Sequence, residues 1–80
     1  MTDTKIMKSV FTELLQFLGE YSEKVDSGSL SHDDYTEYQR LEARIINAYQ
    51  RGYYHRQEYE VLTGAYYYIK EGARIVLGLD

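Results

Sequence analysis

The chain has 80 residues, a formal net charge of −4 and no cysteine. This length is that of one small domain, which buries only about 60% of its unfolded surface and has a narrow margin of stability. The lack of cysteine excludes disulfides and thiolate metal sites, and the acidic charge disfavours non-specific binding to nucleic acid or anionic membranes.

The first helix is predicted over about residues 3–25, where apolar side chains recur at the period of one helix face. Asp3 or Thr4 is the predicted cap, Ser9 lies on the predicted polar face, and Gly28 in the following turn suits the left-handed end of a helix. The apolar side chains of this stripe are Met7, Phe11, Leu14, Leu18, Tyr21 and Val25.

The second helix is predicted over residues 32–51. Ser31 is a suitable N-cap, and Asp34 three residues later imitates a capping box. Leu30 and Tyr35 are spaced as a hydrophobic staple around this start, and Gly52 supplies the next stop. The inner stripe of this helix consists of Tyr38, Leu41, Ile45, Ala48 and Tyr49.

The third helix is predicted over residues 56–77 and would be roughly 33 Å long. It follows a turn like the previous one, with His55 as a poorer cap and Glu58 in the acidic position. Its inner stripe consists of Leu62, Tyr66, Ile69, Ala73 and Val76. Three helices with short connections and no proline predict an all-α fold, an up-down-up antiparallel three-helix bundle, as a single domain over residues 1–80.

The third helix is more apolar than one face of a bundle requires. Gly64 and Gly72 each cost about 1 kcal/mol relative to alanine in a helix interior, which indicates close approach of another helix. Either this is a central helix flanked on two sides, or the second face binds a protein, including another copy of the chain. We favour the second interpretation and expect oligomerisation through the third helix. The predicted interface residues are Val61, Ala65, Tyr67, Tyr68, Gly72, Ile75 and Leu79, with Tyr53 and Tyr54 at the preceding corner.

The motifs for catalysis and metal binding are absent or incomplete, which favours a protein that is not an enzyme. The sequence has no phosphate-binding loop, and the serines near His32 are explained by helix capping. The pair His55 and Glu58 resembles only half of a carboxylate di-metal motif and is better interpreted as a helix start. We therefore expect no catalytic residue, no metal and no cofactor.

A basic row offers an alternative function. Arg40, Arg44 and Arg51 fall on one face of the second helix, with Arg56 nearby, and could contact the phosphates of a nucleic acid or another anion. The opposite idea is nucleic-acid mimicry by surface acids. This acidic set consists of Glu13, Glu20, Glu23, Asp26, Asp33 and Asp34.

Residues 28–45 resemble the helical hairpin of the sporulation-type aspartyl-phosphate phosphatases, whose signature is Ser-Gln-x-x-Asp. The matching residues here run from Tyr38 to Glu42, so both key residue types differ and no function is carried over. In size and acidity the chain is also similar to phage-encoded inhibitors that bind one host enzyme stoichiometrically.

We therefore expect a protein-binding module that acts as a stoichiometric inhibitor or regulator of a protein partner, such as a phage inhibitor of a host or defence enzyme, and that self-associates. The alternatives are a helical nucleic-acid-binding protein and a structural homo-oligomer subunit. No segment has the pattern of a secretory signal or the roughly 20 apolar residues that span a bilayer, so we expect a cytoplasmic protein without membrane contact.

Overall fold

A computed structural model describes residues 9–79 as three α-helices joined by two short turns. The helices are α1 (Val10–Ser27), α2 (His32–Gln50) and α3 (Arg56–Leu77). The predicted all-helical fold is confirmed, and the bounds predicted for the second and third helices differ from these by at most one residue. None of the three helices in this part of the chain is both long and apolar enough to cross a membrane.

The start of α1 differs from the expectation. Ser9, predicted to lie on the polar face of the helix, instead has extended backbone and caps it, since its Oγ accepts a hydrogen bond from the Thr12 N–H at 3.0 Å. A serine at this place satisfies one of the four N–H groups that a helix start leaves without partners. The predicted caps Asp3 and Thr4, and the stripe residue Met7, lie outside the described residues.

Glycines end the first two helices as predicted. Gly28 has φ 71° and Gly52 has φ 80°, the left-handed region that side chains with a Cβ rarely adopt. The Gly28 N–H donates to the Val25 carbonyl at 3.1 Å, and the next N–H donates to the Lys24 carbonyl at 2.9 Å. These two bonds satisfy carbonyls at the end of α1 and reverse the chain within a few residues.

The start of α2 is fixed by the predicted capping box. The Asp34 N–H donates to Ser31 Oγ at 3.0 Å, and the Ser31 N–H donates to Asp34 Oδ2 at 3.1 Å. Lys24 at the end of α1 reaches the same carboxylate at 3.1 Å, which ties the two helices together at this turn. The hydrogen bonds from the Ser31 backbone and from Lys24 stabilise the ionised form and lower the pKa of Asp34.

The helices run up, down and up. Lys24, late in α1, meets Asp34, early in α2, whereas Phe17 in the middle of α1 lies 5.3 Å from the Arg44 guanidinium further along α2. The same order holds between α2 and α3, where Tyr49 meets Tyr59 and Tyr38 meets Tyr66. Contacts of this order require antiparallel neighbours. α3 packs against both α1 and α2 more extensively than those two pack against each other, so it is the central helix of the bundle.

The core combines one stripe from each helix. The Tyr38 and Tyr66 rings stack at its centre, with centroids 4.5 Å apart and planes 6° apart, and the Tyr38 hydroxyl donates to the Tyr66 backbone carbonyl. Such aromatic pairs add about 0.5–1.5 kcal/mol to the value of burial alone. The buried cluster comprises Leu14, Leu18, Tyr38, Leu41, Ile45, Ala48, Tyr54, Leu62, Tyr66 and Ile69.

Candidate protein-association surface on α3

Part of the second apolar face of α3 is covered by α1. A Cβ on Gly72 would lie 2.8 Å from Val25 Cγ1, so this glycine allows the close approach of α1, and Ala65 packs against the core. These contacts agree with the interpretation of α3 as a central helix. Both residues contact other parts of the same chain, and both remain partly exposed.

Tyr54 was predicted to lie at the interface, but the structure places it in the core. Its side chain is 7% exposed, its hydroxyl donates to the Ile45 backbone carbonyl, and its ring contacts Phe11 and Tyr49. A buried tyrosine needs a hydrogen-bond partner for its hydroxyl, and the turn before α3 places this ring where a backbone carbonyl meets that need. Of the two corner tyrosines, only Tyr53 is exposed.

Tyr67 lies towards α2 rather than beside Tyr68. Its hydroxyl donates to the Glu42 carboxylate of α2, and its ring meets the Tyr66 ring edge-on at a centroid distance of 5.2 Å. The bond to Glu42 stabilises the protonated phenol and raises the pKa of Tyr67. Half of the Tyr67 side chain is exposed, and the rest contributes to the packing of α3 against α2.

Three large apolar side chains of α3 are more than half exposed, and we call them the α3 stripe. Val61, Tyr68 and Ile75 are 52%, 82% and 71% exposed. They follow one another at intervals of seven residues, so they share one side of the helix over about 21 Å. Leu79, just beyond the end of α3, is also exposed.

Gly64 lies on the exposed side of α3, one turn before Tyr68. In contrast with Gly72, no neighbouring part of the described chain comes within 4 Å of the place its Cβ would take. The packing of residues 9–79 therefore gives no reason for a glycine, which costs about 1 kcal/mol relative to alanine in a helix interior. A glycine here leaves a hollow in the helix surface next to the stripe.

A groove of about 230 Å³ runs between α1 and α3 beside the stripe. Gly72 lies along it between Tyr68 and Ile75, and the absence of a side chain at Gly72 keeps it open. Ser22 and Asp26 of α1 supply a hydroxyl and a carboxylate to its rim. The groove can therefore receive an aromatic side chain that carries a polar tip.

The basic row is interrupted by other contacts. The Arg44 guanidinium lies over the Phe17 ring, and Arg56 pairs with Glu60 at 3.3 Å. Arg51 caps the end of α2 and, with Arg44, borders a shallow groove that also contains Glu13 and the exposed Tyr53. Arg40 is exposed further along α2.

A buried hydroxyl in the core was not foreseen. The Tyr66 side chain is buried, and its hydroxyl has no hydrogen-bond partner within residues 9–79. Burial, together with the nearby Glu42 carboxylate, raises the pKa of Tyr66 to about 12. In the same part of the chain, no three acidic or histidine side chains lie close enough together to hold a metal ion.

Comparison with known proteins found no match to any protein-family model, curated protein or solved structure. Tyr38, which stands at the place of the serine in the phosphatase signature, is stacked in the core. The geometry of the surface is therefore the basis for a functional proposal.

Proposed function

We propose that the chain is a non-catalytic protein-binding module whose binding surface is the α3 stripe. The observation that carries the proposal is the exposure of Val61, Tyr68 and Ile75 on a helix whose other sides already face α1 and α2. Exposed apolar surface of this kind marks binding sites in soluble proteins, and seven-residue spacing is the pattern that a partner helix packs against.

Tyr68 is the proposed anchor of the complex. Tyrosine is enriched among the residues that dominate binding energy, and complete burial of a large apolar side chain contributes roughly 1.5–3 kcal/mol. In a complex of modest affinity, the free energy gained by burying three such side chains offsets the free-energy cost of lost translational and rotational freedom. A module of this kind acts stoichiometrically, as an inhibitor or regulator of the protein that it covers.

Capture experiments test this proposal. The immobilised wild-type chain, a Tyr68→Ser/Ile75→Ser double variant and a Tyr53→Ser control would each be exposed to a cell extract supplemented with soluble copies of the chain. Tyr53 is the matched control because it is an exposed tyrosine that lies away from the stripe. Circular dichroism would establish that all three proteins have the same helix content.

We expect the wild-type chain and the Tyr53→Ser control to retain a discrete protein in stoichiometric amount, either a foreign protein or the soluble copies. The double variant should lose it, because the apolar side chains that pack against the partner are gone. Equal retention by all three proteins would show that the stripe is not the binding surface. Retention of nothing by the wild-type chain would refute the binding function itself.

A further inference from the structure

The α3 stripe and its glycines are arranged almost symmetrically about Tyr68. Val61 and Ile75 lie seven residues before and after it, and Gly64 and Gly72 lie four residues before and after it. A two-fold axis through Tyr68 would exchange a branched apolar residue with a branched apolar residue and a glycine with a glycine. Most homodimers are built on such an axis, which requires one patch to be complementary to itself.

We propose that the occupant of the α3 stripe is a second copy of this chain, packed antiparallel along α3 around a two-fold axis near Tyr68. The proposal rests on the proposed function, namely that the stripe binds protein. It adds the identity of the partner and the direction in which it lies. The two glycines then have separate roles, since Gly72 admits α1 and Gly64 leaves room for the second copy.

The direction in which a helical side chain leans favours the antiparallel arrangement. Long side chains in helices lean towards the N-terminus, so in the proposed dimer the Tyr68 ring would reach towards the level of the turn that contains Gly64. In an antiparallel pair this turn faces the Gly72 turn of the second copy. The ring therefore arrives at the groove of about 230 Å³ between α1 and α3.

The groove also matches the polar end of tyrosine. Ser22 and Asp26 stand at its rim and can accept a hydrogen bond from the arriving hydroxyl, while Val25 and Ile75 line it with apolar atoms. A parallel pair would bring the ring to the Gly64 turn instead, where no described neighbour lies within 4 Å of the Cβ position. The antiparallel pair therefore brings each Tyr68 to a groove that the described chain already forms.

Charges along α3 favour the same direction. Glu60 and Arg74 each precede a stripe residue, so they lie on the same side of the stripe at its two ends. An antiparallel pair brings Glu60 of one copy to within two residues of the level of Arg74 of the other, and this occurs twice because of the symmetry. Glu60 also pairs with Arg56 in its own helix, and Arg74 also has an interaction within its own chain, so the effect is on orientation more than on affinity. Antiparallel helix dipoles add to this preference.

Cysteine cross-linking tests the arrangement directly, because the native chain has no cysteine. Val61→Cys and Ile75→Cys variants would be mixed in equal amounts and oxidised gently. A disulfide requires Cα atoms about 4.4–6.8 Å apart, so its yield reports which positions face each other. Gln39→Cys, at an exposed position on α2, measures the yield from random collisions. Tyr68→Ser in each variant removes the proposed anchor.

We expect the mixed disulfide between positions 61 and 75 to exceed the two like-with-like products by about tenfold or more, since association raises the effective concentration of facing groups. Adding Tyr68→Ser should lower it to the level of the Gln39→Cys control. If a substitution disturbs the helix content, Gln57→Cys with Leu79→Cys replaces the pair, because these positions lie eleven residues before and after Tyr68.

Two results would overturn the inference. An excess of like-with-like disulfides would mean that the two copies run parallel. Yields no higher than those of the Gln39→Cys control would mean that a second copy does not cover the stripe. In either case the capture of a foreign protein, and its loss in the Tyr68→Ser/Ile75→Ser variant, would still decide the proposed function independently.

Discussion

The two interior glycines of α3 provide a matched test of how the bundle is packed. Glycine is less favourable than alanine in a helix interior by about 0.8–1.0 kcal/mol. At Gly64 a new Cβ meets no described neighbour within 4 Å, so Gly64→Ala should realise the full gain. A stabilisation of about 1 kcal/mol corresponds to a rise in Tm of roughly 4–8 °C for a domain of this size.

Gly72→Ala should have the opposite result. The new Cβ would lie 2.8 Å from Val25 Cγ1, whereas carbon atoms in favourable contact are about 3.5–4.0 Å apart. Valine is stiff at χ1, so the contact must be relieved by moving α1 away from α3. Overpacking of this kind costs about 1–3 kcal/mol. After the gain in helix propensity, the net change lies between zero and a loss of about 2 kcal/mol.

Thermal and urea unfolding followed by circular dichroism would measure both variants at a protein concentration where the wild-type chain is monomeric, because association also stabilises the fold. Adding Val25→Ala to Gly72→Ala should recover part of the loss, since the two positions are in contact. A Tm that rises as much for Gly72→Ala as for Gly64→Ala would refute the reasoning. Such a rise would mean that α1 does not approach Gly72 closely and does not form the groove beside it.

Three further predictions follow from the core and from the first turn. Tyr38→Phe removes a buried hydrogen bond and should cost about 0.5–1.5 kcal/mol in urea unfolding, whereas Tyr66→Phe removes a hydroxyl without a partner and should be neutral or stabilising. Equal losses would contradict this assignment. Ser31→Ala should cost about 0.5–2 kcal/mol of stability. Because the pKa of Asp34 is lowered in the fold, the contribution of Asp34 to stability is present at neutral pH and is lost on acidification through that lowered pKa. Asp34→Asn should flatten this part of the stability profile, and an unchanged acid limb would count against the capping box. Burial raises the pKa of Tyr38 and raises that of Tyr66 to about 12, so stability should be intact below pH 10, the ordinary value, and fall as the pH rises through 12. Tyrosinate absorbance and circular dichroism measured together would check this, and full ionisation near pH 10 with the helices intact would refute it.

Helix bounds were predictable where local signals set them. Gly28, Gly52 and the Ser31 capping box act within a few residues of sequence, and the structure places the ends of α1 and α2 and the start of α2 at them. The start of α1 was missed because Asp3, Thr4 and Ser9 are all acceptable caps by residue type. Only the backbone conformation shows that Ser9 takes this role.

The division of apolar surface on α3 was not predictable, because it depends on how the helices are aligned with one another. Gly64 and Gly72 look alike in the sequence, but only Gly72 has α1 against it. Tyr67 and Tyr68 are neighbours that point about 100° apart on a helix. Sequence periodicity gives this angle but not the positions of the other helices. In the structure α2 partly covers Tyr67, whereas the described chain leaves most of Tyr68 exposed.

The same reason explains the assignment of the corner residues. Tyr53 and Tyr54 both suit the turn before α3, and either could pack beneath it. The position of the Ile45 backbone carbonyl, which accepts the Tyr54 hydroxyl, selects the second of them for the core. Contacts between distant parts of the chain therefore decide which of the predicted interface residues are available for a partner.

Sedimentation equilibrium across a concentration series tests association through the α3 stripe most directly. We expect the mass of the wild-type chain to rise from 9.4 kDa towards twice that value with increasing concentration. Tyr53→Ser should behave in the same way, and Tyr68→Ser should remain at 9.4 kDa. A wild-type mass of 9.4 kDa at every concentration, or equally tight association of Tyr68→Ser, would contradict a dimer built on this stripe.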